Sequence, residues 1–174
     1  MSGKNRYLKG DINPIIAPVH GSHVVSAGDF MSINKTAGGF GVGWTADNYA
    51  FPFAEIQCAS NSIATAGFLY TYFLGIAMED SPSGVTENIT IATSGVFRQP
   101  LHSAYVGSAV TIGALVSAVT GVGTGGVSSQ YVTHGTAGAI ASTAYLGYII
   151  KTESGASFVD FQLRTAYGPG GLAS

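Results

Sequence analysis

Four histidines, a single cysteine and a few carboxylates are the side chains through which this sequence could do chemistry. His20 and His23 are three residues apart, a spacing that brings two imidazoles to one metal only on a helix. Pro18 and Gly21 oppose a helix there, and Asp29 is the nearest carboxylate. Glu79, Asp80 and Glu87 have the residue types of an acid–base pair, which needs a carboxyl group tuned by its surroundings. They surround a turn with Pro82 and Gly84, where carboxylates are solvated. The run Gly121-Val122-Gly123-Thr124-Gly125-Gly126 hints at a phosphate loop, but no Gly in the chain is followed by Lys-Ser or Lys-Thr. Gly107-Ser108 and Gly21-Ser22 lack the spacing of a nucleophile elbow. Cys58 stands alone, which excludes a disulfide framework and reads as a small buried apolar residue. The expectation is a protein without catalytic residues, metal or cofactor, and so not an enzyme.

Composition narrows the partners. Only 9% of the 174 residues are charged, 7 basic and 9 acidic, against roughly 25% in ordinary globular domains. A chain with so few charges is poorly protected against self-association, and burial in an assembly removes that problem. A formal charge of −2 gives no electrostatic case for nucleic acid. Residues 103–150 contain no Asp, Glu, Lys or Arg. The window 104–122 has bilayer-spanning length, but Gly107, Ser108, Thr111, Gly113, Ser117, Thr120 and Gly121 interrupt it, so no membrane span is expected. Lys4, Arg6 and Lys9 suggest the start of a signal peptide, yet Gly10, Asp11, Asn13 and Pro14 stand where its apolar core belongs.

The elements that must position these residues read as strands. Ile89 and Ile91 alternate within 88–92; Val159, Phe161 and Leu163 share one face of 157–165, opposite Asp160, Gln162 and Arg164. Val110, Ile112, Ala114 and Val116 form another alternating set. Turns are expected at 79–84 and 151–155, a Gly/Ser/Thr loop at 121–129, and a modest helix within 56–69. The order of parts appears twice: Phe73-Leu74-Gly75-Ile76, a polar turn and a strand are echoed by Tyr145-Leu146-Gly147-Tyr148, a turn and a strand. Ala27-Gly28-Asp29 is likewise echoed by Ile112-Gly113-Ala114. The fold expected is all-β, a barrel or sandwich built from two related β units (approximately 23–100 and 101–166) within a domain 23–174. Residues 1–22 form an N-terminal arm. Pro14 and Pro18 bias it toward an extended path, either as an arm pairing with another chain or as a first edge strand of the same domain. The uncharged stretch 103–150 predicts a homo-oligomer, a trimer slightly ahead of a dimer. Candidate contact residues are Lys4, Arg6, Lys9, Pro14, Pro18, Val122 and Val127.

Landmarks in this order resemble a family of tailed-phage capsid decoration (cement) proteins, sometimes mislabelled as recombinase-like. They are Lys9-Gly10-Asp11-Ile12, Ala17-Pro18-Val19, Val25-Ser26-Ala27-Gly28-Asp29-Phe30-Met31, Phe73-Leu74-Gly75-Ile76-Ala77 and Ala92-Thr93-Ser94-Gly95-Val96-Phe97. In the second half Gly113, Tyr145-Leu146-Gly147 and Val159-Asp160-Phe161-Gln162-Leu163 follow. The chain departs at Ala114, where the family's Gly often precedes Asp, and in an insertion between Ile33 and Phe68 that holds Trp44, Tyr49, Phe51, Pro52 and Phe53. The resemblance implies a β-rich virion protein, made in the host cytoplasm, that attaches to the outer capsid surface as a trimer or dimer. Its partner is then the major capsid protein, which Lys4, Arg6 and Lys9 could meet through acidic surface. A phage tail or receptor-binding structural protein is the alternative, since it shares the low charge and β content.

Overall fold

The computed structural model describes residues 6–33, 49–53, 72–82, 85–103, 106, 109–122, 126–135, 145–153, 155 and 157–165. They form eleven β-strands: β1 (Arg6–Lys9), β2 (Pro14–Val19), β3 (Phe30–Ile33), β4 (Ala50–Pro52), β5 (Phe73–Ala77), β6 (Glu87–Ala92), β7 (Ser94–Pro100), β8 (Leu115–Val122), β9 (Gly126–Gly135), β10 (Gly147–Lys151) and β11 (Phe158–Arg164). The order β2-β4-β3-β5-β6 closes into a barrel, and β1-β7-β11-β10-β8-β9 forms a six-stranded sheet. The fold is all-β, as the alternation of Ile89/Ile91 and Val159/Phe161/Leu163 requires; all five side chains are buried.

With β1 set aside, the two halves are one pattern used twice. β2 pairs β6 as β7 pairs β11; β5 pairs β6 as β10 pairs β11; β3 pairs β5 and β4 as β8 pairs β10 and β9. The agreement holds at single residues. Pro18↔Asn88 matches Pro100↔Phe158, Ile16↔Thr90 matches Arg98↔Asp160, and Met31↔Gly75 matches Val116↔Gly147. The parallel pair Val19↔Ala50 that closes the first barrel is matched by the parallel bridge Leu101↔Val132. Gly28 donates to Ala77 O (2.7 Å) as Gly113 donates to Ile149 O (2.8 Å), and the return bonds Ala77 N to Asp29 O and Ile149 N to Ala114 O are both 2.9 Å. By this equivalence the units run 14–92 and 94–164 and meet at Thr93, where the expected division put 23–100 and 101–166.

Two chain passages run side by side between the halves, 10–13 and Thr93. Thr93 N and Ser94 N both donate to Ile12 O, at 3.0 and 3.2 Å. Thr93 Oγ1 donates to Asn13 O, Ser94 Oγ to Asp11 O, and Thr165 Oγ1 to Thr93 O. Hydrophobic packing joins the halves further. Phe30, Phe53 and Phe73 of the first unit lie in one cluster with Phe97, Val116, Val132, Leu146 and Phe161 of the second. Each such side chain contributes about 1.5–3 kcal/mol on burial.

Several expectations change. Residues 6–9 and 14–19 pair within the chain as β1 and β2, so of the two roles weighed for 1–22 these residues take the strand. The strand expected to include Val110 and Ile112 starts only at Leu115. Gly113 (φ +86) and the Ala114 N to Thr111 O bond close a turn first, leaving Ile112 71% exposed. The expected loop 121–129 is mostly ribbon: β8 runs to Val122 and β9 starts at Gly126, because Thr120↔Val127 and Val122↔Gly126 continue the ladder. Part of the unplaced insertion is β4, whose neighbour Phe53 is fully buried against Phe30 and Phe73, ring centroids 5.8 and 5.5 Å away. The helix expected within 56–69 lies outside the described residues.

Candidate functional site

The outer face of β7, β11 and β10 carries the strongest polar feature of the described residues. Alternation along β11 turns Phe158, Asp160, Gln162 and Arg164 away from the core that Val159, Phe161 and Leu163 fill. Register sets Arg98 across from Asp160, and Lys151 across from it on the other side. Arg98 grips the carboxylate with two bonds, Nε to Oδ1 at 2.7 Å and Nη2 to Oδ2 at 3.1 Å. The side chain of Asp160 is 9% exposed and that of Arg98 is 42% exposed. Hydrogen bonding to Asp160, followed by its charge, pushes the guanidinium above its ordinary value. A carboxylate this buried needs its partner, so the pair fixes Arg98 and leaves the rest of its fork facing outward. Thr152, Glu153, Gly155, Ser157 and Phe158 complete a cleft of about 310 Å³ around Arg98, Lys151 and Asp160. Lys151 Nζ lies 3.8 Å from Glu153, and Arg164 sits over the Tyr148 ring at 5.3 Å. The first barrel has Ile16 and Thr90 at the places of Arg98 and Asp160, so the charged pair is a difference between otherwise equivalent walls. Such an arrangement can hold an anionic or planar polar group.

The residues singled out for contact are scattered by the fold. Lys4 lies outside the described residues. Arg6 pairs Arg98 in register and Lys9 pairs Val96, both at the edge of the six-stranded sheet. Pro14 and Pro18 belong to the wall of the first barrel, and Val122 and Val127 to the ribbon β8–β9 rather than to a loop. The structure therefore brings Arg6 and Lys9 toward the Arg98 face but not the other four described residues. Sequence reading saw that Asp160 and Arg164 turn outward; Arg98, 62 residues from Asp160, had no signal until the register was known.

His20 and His23 sit in the turn after β2, with His23 N donating to His20 O at 2.9 Å and His20 Nδ1 2.7 Å from Ser22 Oγ. Among the described residues no group of three His, Cys, Asp or Glu is placed to hold a metal ion, and no helix is long and apolar enough to cross a membrane. No family model, curated protein or solved structure matches this chain.

Gln99 is a residue that sequence reading missed. It is fully buried on β7, and among the described residues neither its amide oxygen nor its amide nitrogen has a hydrogen-bond partner. The equivalent place in the first barrel is Ala17, by the match of Ala17↔Ile89 with Gln99↔Val159. An unpaired buried amide costs about 1–3 kcal/mol. Gln99→Met, which keeps length and removes both polar atoms, is expected to raise the unfolding free energy by roughly 1–2 kcal/mol. Thermal and denaturant unfolding measure this; a loss of stability instead would mean that the amide is satisfied by ordered water.

Proposed function

We propose that this chain is a structural virion protein that binds the outer surface of a tailed-phage capsid and stabilises the head, with the major capsid protein and further copies of itself as partners. The observation that carries this reading is where the family-like landmarks fall. Gly10-Asp11-Ile12 and Ala92-Thr93-Ser94-Gly95 are the two passages that bond to each other between the units. Gly28 and Gly113 make the same turn bond, and Leu74-Gly75 and Leu146-Gly147 hold the same place in the two walls. A resemblance concentrated at the positions that set the frame supports a shared frame, and with it the family's role. The charge-free stretch 103–150 and the scarcity of reactive side chains fit a protein that acts by contact alone.

The physics of that role is multivalency. Each contact is modest, but an oligomer touching several capsid subunits at once gains avidity, and a partner that binds only the assembled shell stabilises it by mass action. Purified protein is expected to saturate isolated phage heads at a fixed ratio and to raise the temperature at which they open. Val122→Asp or Val127→Asp is expected to weaken that binding while the far-ultraviolet circular dichroism stays β-type. Cosedimentation checks both; heads that take up no protein at saturating concentration overturn the reading, and uptake by tails in their place favours a tail or receptor-binding role.

A further inference from the structure

We propose that the outer face of β1, β7, β11 and β10 docks the acidic β5–β6 corner of a second copy of this chain, joining the six-stranded sheet of one copy to the barrel of the next. The distribution of a small number of charges carries this. Of the seven Lys and Arg residues in the sequence, Lys9, Arg98, Lys151 and Arg164 lie on this one face or at its register positions. A fifth, Arg6, takes the register position across from Arg98. The acids there are Glu153 and Asp160, and Asp160 is buried and already bound to Arg98. The rest of the chain holds the other seven of its nine acids. The charges of the described residues are therefore polarised although the chain's net charge is only −2.

The complementary surface is on the same chain. Glu79 and Asp80 are exposed in the β5–β6 turn and Glu87 begins β6. One Glu87 oxygen, Oε1, is buried without a partner, and among the described residues none of the three acids is in an ion pair. This corner is the first barrel's counterpart of the β10–β11 corner, since Glu79 follows Ala77 by two residues as Lys151 follows Ile149 in the matching strand. Like charge at matched positions would make copies repel; here Glu79 and Lys151, at equivalent places, carry opposite sign, which favours a heterologous contact. Apolar surface adjoins both sides. Ile16, 75% exposed, pairs Thr90, whose hydroxyl bonds Glu79, and Phe158, 39% exposed, lines the basic cleft. Arg98, already fixed by Asp160, has little freedom to lose when a carboxylate arrives. Arginine and aromatic residues, here Arg98 and Phe158, are enriched at protein interfaces.

The inference does not depend on a capsid, so heads that bind no protein leave it standing. Sedimentation equilibrium on the whole chain tests it with Lys151→Glu, Glu79→Lys and the two combined, all at exposed positions and each checked for an unchanged circular dichroism spectrum. Wild type is expected to associate at low salt and less so at high salt. Each single reversal is expected to raise the dissociation constant by about tenfold or more, and the combination to restore much of the loss. A wild type that stays monomeric at its highest soluble concentration overturns the proposal, as does a double variant no better than either single one. Binding of duplex DNA by that monomer would reassign the face to nucleic acid.

Discussion

Gly147→Ala and Gly75→Ala are each expected to abolish the native fold or to leave it barely stable, though each adds one methyl group. A Cβ on Gly75 would lie 2.9 Å from the Ala92 carbonyl carbon and closer still to its oxygen; a Cβ on Gly147 would lie 3.0 Å from the Gln162 carbonyl carbon and likewise overlap its oxygen. Both obstacles are backbone atoms of a paired strand, which cannot swing aside as a side-chain tip can. Gly75 also has φ +150, where a side chain is strained regardless of space. Relief requires separating β5 from β6 or β10 from β11, and with them the packing of Ile76, Ile91, Ile149 and Phe161. The expected loss is more than about 4 kcal/mol at either site, a large part of the 5–15 kcal/mol that holds a typical domain together. Gly155→Ala is the control: its added carbon would meet nothing within 4 Å, and the cost is confined to its φ of +72. Denaturant unfolding of the three variants measures the difference; Gly147→Ala within about 1 kcal/mol of wild type would mean that the strands are less tightly apposed than described.

Deleting residues 2–16 is expected to unfold the protein rather than to trim an appendage. The cut removes all of β1 and the first three residues of β2, and β2 is bonded along its length to β6 and closes the barrel through Val19 and Ala50. It also takes away Ile12 O and Asn13 O, the acceptors for Thr93 N, Ser94 N and Thr93 Oγ1, and leaves those groups unmatched between the halves. Each orphaned buried group costs about 1–3 kcal/mol, before the lost packing of Ile12 and Ile15 is added. Replacing Lys4, Arg6 and Lys9 together by Gln separates the two roles of the segment, since it preserves β1 and removes only charge. Circular dichroism and thermal unfolding should show the deletion variant unfolded and the Gln variant native. A deletion variant that keeps a cooperative transition would return the segment to the role of an arm.

How much of this could be read from the residues depends on how local the signal is. Alternation is local, so the strands around Ile89 and Phe161 and the duplicated Leu-Gly landmarks were legible. The echo of Gly28 in Gly113 pointed to two related units because a turn needs a few residues in fixed order. Failures came where a distant partner decides. Val110 and Ile112 alternate as well as any strand, but Ile149 O captures Gly113 N and bends the chain before β8. Ala50, Phe51 and Pro52 have no pattern of their own and become a strand only by pairing β3 and β2. Asp160 reads as an outward, solvated acid; only Arg98 on the neighbouring strand makes it a buried one. The basic face was invisible for the same reason, since its members come from four strands and are diluted by the acids of the rest of the chain.

The parallel pair that closes the barrel has a mechanical consequence. The barrel is a hoop with one buckle, Val19 against Ala50; in the six-stranded sheet the equivalent place is taken by the bridge Leu101 against Val132, helped by His102 N donating to Val132 O at 3.0 Å. The other joins of the walls are longer antiparallel ladders, such as the seven pairs between β7 and β11, and parallel pairing is slightly weaker for each residue. Tension around the hoop therefore concentrates at a single residue pair, while the clamp of Ile12, Asn13, Thr93 and Thr165 between the halves carries load through several bonds in parallel. Stretched, the molecule would spring its buckle before it parted at the waist.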